Sequence, residues 1–380
     1  MRSKLALFMM MFVLFALVGG TGVASAGNGL PPGFQHVCPG PAGPDTTRCH
    51  SVVRPQASTS PTGLSPAVIK SAYSFSTSST AGAGKTIAIV DAYDDPTAES
   101  DLNVFSSQYG LPACTTANGC FKKVNQTGGT QYPRTNSGWA LEISLDVQWA
   151  HAIAPGAKIL LVEASSNSFA NLLAAEDYAK THAQYVSNSW GASEFSSESS
   201  YDSHFAQSGV SFFVSAGDAG LPAEYPSASP SVISVGGTTL HFTSGKFSSE
   251  TGWSSGGGGC SAYETATLTQ SGFSQYSQVK CGGKRATPDV SLDADPASGV
   301  SVYDSTSYQG QKGWFTVGGT SASSPMWAAR AAVAGAVVNS AYVYGSNITY
   351  RDITSGNNGA SCLVGYDLCS GRGSWTGATP

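Results

Sequence analysis

Five apolar runs punctuate the chain: KTIAIVDAY (85–93), AKILLVEA (157–164), QYVSNSW (184–190), GVSFFVSAGD (209–218) and SVISVGG (231–237). Between them lie stretches, 97–109, 138–152 and 168–182, whose apolar residues recur every three or four positions. Short runs apolar on both faces predict strands buried on both faces, and the intervening 3.6-residue period predicts helices. Their alternation predicts an α/β fold with a mainly parallel central sheet and helices on both faces. Ligands of such sheets sit beyond the carboxyl ends of the strands. The polar residues that follow each run are therefore the first place to look for chemistry.

The ends of the chain read differently. Arg2 and Lys4 precede an apolar run from Leu5 to Val18, and Ala24 to Ala26 supply a small-residue cleavage pattern, which predicts a signal peptide over 1–26 and a secreted, extracellular protein. Residues 27–62, rich in Pro, Gly, Ser and Thr, predict a loop-rich N-terminal extension in the place of a short pro-segment, and 63–380 the α/β domain. The eight cysteines fall into sequence-local pairs, Cys38 with Cys49, Cys114 with Cys120, Cys260 with Cys281 and Cys362 with Cys369. In an exported chain these read as disulfides, and no CxxC spacing suggests metal. No later segment is apolar enough to hold a membrane, and nothing marks the chain as other than a monomer. Charged residues make up 11% of the chain and the net charge is −5, which excludes nucleic acid as a partner. So few ion pairs suit acidic surroundings, because little stability is lost when carboxylates protonate. The Gly256–Gly259 run predicts a mobile surface loop, with a flexible substrate-cleft loop as the second reading.

Ser321, in VGGTSASSPMWAA, stands behind two glycines and ahead of a helical run, where a serine is either a helix cap or a nucleophile. A nucleophile needs a base. His151 lies nine positions from Glu142 on one predicted helix, roughly 180° around it, and reads as structural. Glu142 and Asp146, four apart, share a face of a helix otherwise strongly apolar. Two carboxylates there cannot both ionise cheaply, so one keeps its proton, as acid and base work requires. Asp218 follows a hydrophobic strand between glycines, as a plain turn residue or, if it faces Ser321, as a protonated donor to an oxyanion.

Together, Glu142-x-x-x-Asp146, SNSWG (187–191), SAGDAG (215–220) and GGTSASSP (318–325) resemble the sedolisin family, the serine-carboxyl peptidases of subtilisin-like fold. The resemblance implies that 63–380 is a peptidase domain acting on protein or peptide substrates at acid pH. It implies Ser321 as nucleophile, Glu142 as base, Asp146 as the partner sharing its proton, and Asp218 as oxyanion acid. The C-terminal YRDITSGNNGASCLVGYDLCSGRGS resembles the family's calcium loop. That implies one structural Ca2+ held by the Asp352 and Asp367 carboxylates and the Ile353, Leu363 and Gly365 carbonyls. Leu363 stands where the family has glycine, and the segment 27–62 is far shorter than the folded propeptide of most members.

Two other readings compete. A subtilisin-type protease would use Asp91, at the end of the first strand, with a histidine and Ser321, but no HGTH-like helix start is present. A non-catalytic binding protein on the same fold would have lost a catalytic group, and all four are present.

Overall fold

The structure, a computed structural model, describes residues 30–39, 42–43, 45–345 and 348–377; the leader expected over 1–26 lies outside them. Three two-residue strands open the chain, β1 (Gln35–His36), β2 (Arg48–Cys49) and β3 (Val52–Val53), followed by α1 (Pro66–Tyr73). The predicted alternation then follows. It runs β4 (Thr86–Ala92), α2 (Ala98–Tyr109), β5 (Phe121–Asn125), α3 (Ser137–Ile153), β6 (Lys158–Ala164), α4 (Phe169–Ala179), β7 (Tyr185–Asn188), β8 (Trp190–Ser193), β9 (Ser211–Ser215), β10 (Glu224–Tyr225) and β11 (Ile233–Thr243). The last part brings β12 (Lys246–Gly252), β13 (Gly259–Thr265), α5 (Leu268–Ser271), β14 (Lys284–Thr287), β15 (Val290–Asp293), β16 (Val300–Tyr308), β17 (Gln311–Gly318) and α6 (Thr320–Ala334).

The central sheet has the order β12-β11-β9-β7-β4-β6-β5, with β15 added on β11, and only β11 with β12 is antiparallel. Its inner strands are buried along nearly their whole length, which is why they read as continuous apolar runs. Helices α3 and α6 pack on each other against the sheet, and α4 covers β4 and β6 from the other face. Every residue of α3 from Gly138 to Ile153 is buried, so this is a core helix and its acids are core acids. The four disulfides join the sequence-local cysteine pairs.

One expectation needs correction. The Gly256–Gly259 run is buried, not a mobile surface loop. A Cβ at Gly257 would stand 2.1 Å from the Ala216 carbonyl oxygen and one at Gly258 2.2 Å from that of Leu368. The glycines are there because backbone packs on backbone. Several described residues of the N-terminal extension are built into the body. β3 joins β17, β2 joins β8, and Val37, His50, Ser51, Val52 and Val53 are buried.

Candidate active site

Helix α3 begins where Asn136 Oδ1 accepts the Gly138 and Trp139 amides at 3.0 and 3.2 Å, which fixes the helix and the facing of Glu142 and Asp146 one turn apart. The end of β4 brings Asp91 to the same place. One oxygen of each of the three carboxyl groups lies within 4.8 Å of the other two. All three are fully buried, and none of their oxygens closes a hydrogen bond of normal geometry among the described residues. Burial pushes Asp91 up to about 8. Burial first, and then the charge of Asp91, hold Glu142 and Asp146 well above the usual carboxylate range. The hydroxyls of Ser321 and Ser51 face Glu142 and offset part of its shift, as Ser189 does for Asp146. Three acids in one buried pocket share protons that exposed carboxyls would have lost.

Ser321 is the second residue of α6, which Gly319 enters at φ +93, in the left-handed region that favours glycine. Its hydroxyl donates to the Ser189 carbonyl at 3.4 Å. Its amide is one of the first-turn donors a helix leaves unsatisfied internally, and it donates at 3.0 Å to the carbonyl oxygen of His50. Beyond β9 the chain turns through Gly217 and presents Asp218 to the same helix end. Asp218 Oδ1 accepts the Thr320 amide at 2.8 Å and hydroxyl at 3.0 Å, while Oδ2 is buried without a partner. Burial pushes Asp218 up to about 6, against the opposing pull of the His50 charge, the Thr320 hydrogen bonds and the Arg48 charge. A Cβ at Gly319 would stand 2.8 Å from Asp218 Oδ2 and 2.1 Å from the His50 oxygen, so both crowd the entry to α6.

The four residues singled out in the sequence thus meet at one point, at the carboxyl ends of β4, β7 and β9. His151 lies elsewhere, with Nε2 bonded to the Pro112 carbonyl at 2.9 Å. The histidine that does approach Ser321 is His50, and it does so through its backbone. Its ring nitrogens are taken by Ser215 Oγ at 2.7 Å and Glu224 Oε2 at 3.0 Å. No histidine ring is bonded to Ser321 or Asp91 among the described residues. Sequence reasoning missed His50, Ser51, Ser215 and Glu224 altogether. It placed Asp91 only in a histidine-based alternative; the structure makes it the third acid beside Glu142.

Of the residues expected to hold calcium, Leu363, Gly365 and Asp367 lie within the turn closed by Cys362–Cys369, and Asp352 and Ile353 stand before it. Asp352 Oδ2 accepts the Gly365 amide at 2.9 Å and Asp367 Oδ2 the Leu363 amide at 2.6 Å. Asp367 Oδ1 accepts the amides of Cys369 at 3.0 Å and Ser370 at 2.8 Å. The carbonyls of Val364 and Tyr366 accept from Gln278, whereas those of Ile353, Leu363 and Gly365 accept no hydrogen bond among the described residues. Ile353 is buried, so its carbonyl has no ready solvent partner. Three idle carbonyls and Asp352 Oδ1 are oxygens of the hard kind that calcium takes, so the donor chemistry of the residues present fits that ion. Leu363 does not spoil the fit, because it would act through its backbone.

Fold and site together define a class: a subtilisin-like α/β chain in which buried carboxyl groups, and no histidine ring, stand beside a serine at a helix start. The pattern of the subtilase family matches residues 134–355. Kumamolisin of Bacillus sp. (strain MN-32) is 30% identical over 362 residues, covering 83% of this chain and 63% of its own length. Sedolisin of Pseudomonas sp. (strain 101) is 34% identical over 203 residues, covering 44% of this chain and 32% of its own. The chain thus spans less than two thirds of the length of the curated relatives it matches. Among solved structures, Pseudomonas sedolisin, a serine-carboxyl proteinase complexed with two molecules of pseudo-iodotyrostatin, superposes with a TM-score of 0.69 at 28% identity. That match covers 83% of this chain and 96% of the sedolisin chain. Sphericase, at 21% identity and a TM-score of 0.52, shares the fold. This chain belongs to the subtilase family and, within it, to the sedolisins. No helix among the described residues is long and apolar enough to cross a membrane.

Proposed function

We propose that the chain is an acid-acting serine-carboxyl peptidase, exported behind its 1–26 leader, that hydrolyses peptide bonds of proteins or peptides through an acyl-enzyme on Ser321. The observation that carries this reading is the buried cluster of Asp91, Glu142 and Asp146 beside the Ser321 hydroxyl. Glu142 takes the hydroxyl proton as Oγ attacks the carbonyl carbon, its negative charge passes to the oxyanion that forms, and the proton it gains is shared with Asp146 and Asp91. Below about pH 5 an imidazole is already protonated and cannot serve, whereas a coupled carboxyl group still accepts a proton. The oxyanion meets the Ser321 amide at the positive end of α6 and a proton on Asp218 Oδ2, the oxygen that Thr320 leaves free. Glu142 then protonates the departing amine as the C–N bond breaks. Water, deprotonated by the same carboxylate, hydrolyses the ester and restores the Ser321 hydroxyl.

Asp352, Asp367 and the Ile353, Leu363 and Gly365 carbonyls would hold one Ca2+, which when bound supplies a structural clamp on the C-terminal loop. The test of the function is incubation of the purified protein with a peptide mixture at pH 3–5, with product masses read out. Cleavage that disappears in Ser321→Ala supports the reading. Cleavage that appears only above pH 7, or that persists in Ser321→Ala, contradicts it.

A further inference from the structure

Asp218 stands on a turn, and a proton on its Oδ2 can meet an oxyanion only if that turn is fixed. Backbone holds it from one side. The Gly257 amide donates to the Gly217 carbonyl at 2.7 Å, immediately before Asp218. The Gly258 amide donates to the Gly220 carbonyl at 3.3 Å, and the Gly220 amide donates to the Ser255 carbonyl at 3.0 Å. Residues 255–258 therefore run as a strip along the turn, tied to it on both sides of the acid. The approach is as close as backbone allows: a Cβ at Gly257 would stand 2.1 Å from the Ala216 carbonyl oxygen and 2.7 Å from the Gly217 nitrogen.

The strip lies between β12 and β13 and belongs to neither, so no sheet ladder fixes it. A side chain of the C-terminal loop grips its far edge. Asn358 Nδ2 donates to the Gly256 carbonyl at 2.8 Å and to the Leu368 carbonyl at 3.0 Å. Both partners are carbonyls, so the group between them is the NH2, and both of its hydrogens are engaged. Asn358 Oδ1 accepts the Ala360 amide at 3.1 Å, which sets the direction of the side chain. Asn358 is fully buried, and a Cβ at Gly258 would stand 3.0 Å from its Nδ2. The Gly256 carbonyl and the Gly257 amide are two edges of a single planar peptide unit. One edge is held by Asn358 and the other holds Gly217, so the unit is a rigid link between the C-terminal loop and the residue before Asp218.

We propose that Asn358 is a positioning residue for the oxyanion acid: its amide pins the Gly256–Gly257 peptide unit, and that unit sets where Asp218 stands beside Ser321. This rests on the peptidase reading above. Asn358 touches no reacting atom and acts only through the strip. Close-packed backbone on both sides of the peptide unit leaves it no room to take up slack, so a loss of grip at Gly256 is passed on to Gly217. A shift of about 1 Å at a group that must meet the reacting atoms can cost about 100-fold in rate, so a small loosening is enough to be read in turnover. The link contains none of the residues expected to hold calcium.

The test is a double-mutant cycle on peptide hydrolysis at pH 4, run well below the thermal midpoint of every variant. Asn358→Ala should lower kcat about 10- to 100-fold and leave KM within about twofold, because the oxyanion is stabilised only in the transition state. In an Asp218→Ala background the same substitution should change the residual kcat by less than about twofold, since the side chain it positions is gone. Asn358→Asp keeps the shape, and in acid its carboxyl, protonated between two carbonyls, offers one donor in place of two. It should lose less than Asn358→Ala, and it carries the cycle if Asn358→Ala does not fold. A loss of equal size in both backgrounds is what general packing would give and overturns the proposal, as does an Asn358→Ala with the kcat of the parent. Either result leaves the peptidase reading intact, because that reading stands on parent hydrolysis that Ser321→Ala abolishes. A parent that hydrolyses no peptide at any pH overturns the two together.

Discussion

Thr320 gives Asp218 two hydrogen bonds at a single oxygen, from its amide at 2.8 Å and its hydroxyl at 3.0 Å, both to Oδ1. The other oxygen is left buried and unpartnered. That asymmetry fixes how an amide would sit in the same place. In Asp218→Asn the carbonyl oxygen must take the Thr320 donors, which turns the NH2 group to the Oδ2 position as a permanent donor. The variant should keep measurable activity and lose less of it above pH 6 than the parent, whose Asp218, pushed up to about 6, gives up its proton there. Asp218→Ala, with no donor, should lose about 100- to 1,000-fold in turnover. Parallel pH–rate profiles check this, and an Asn variant as inactive as the Ala variant at every pH contradicts the donor role.

The three acids of the pocket should separate in kinetics. Glu142→Gln removes the base and should cost about 100- to 10,000-fold at all pH values. Asp91→Asn removes the charge that raises both Glu142 and Asp146. Because burial pushes Asp91 up to about 8, that charge is absent in acid, so the acid limb should stay in place with a smaller loss of rate, and the profile should change near pH 8. A profile unchanged near pH 8 in Asp91→Asn would show that Asp91 is not coupled to the base.

Stability should fall as pH rises. Burial pushes Asp91, Glu176 and Asp304 up to about 8 and Glu163 to about 9. The folded state therefore binds more protons than the unfolded chain, whose carboxyls titrate near 4, and each such group loses its stabilising effect between about pH 4 and its folded value. Glu224 works in the other direction. Burial alone would raise it, but His50 and Arg48 hold it low, so its stabilising effect is lost only in stronger acid. Thermal midpoints measured from pH 4 to pH 8 should decline across that range. A midpoint that rises towards neutrality would contradict the buried-acid account.

How much of this was legible beforehand depends on range in the chain. The strands around Asp91, Glu163, Asn188 and Ser215 and the helix of Glu142 and Asp146 carry their own periodicity, and they lie within a few residues of where the sequence predicts them. Ser321 and Asp218 were marked by the glycines that surround them. His50 was not. Two-residue strands have no periodicity to read, and Arg48–Cys49 find their partners at Trp190 and Gly191, far along the chain. Gly256–Gly259 misled for a related reason, since a glycine run looks the same whether it is free or pressed against the Ala216 backbone.

Calcium should raise the thermal midpoint and a chelator should lower it, because an ion bound only by the native loop stabilises it by mass action. At a hundredfold excess over Kd the gain is about 2.7 kcal/mol. Asp352→Asn should abolish most of that response while leaving Cys362–Cys369 closed. Equal midpoints with calcium and with chelator, in parent and variant alike, would mean that the disulfide-closed loop needs no ion.

The most direct measurement of the central claim, a serine activated by carboxyl groups, is mass spectrometry of the acid-quenched protein during turnover of a peptide substrate at pH 4. The acyl group of the substrate should be found on the proteolytic fragment that contains Ser321, and it should be absent when Glu142→Gln is treated in the same way. Turnover at pH 4 without an adduct on Ser321, or an adduct that forms as well in Glu142→Gln, would contradict it.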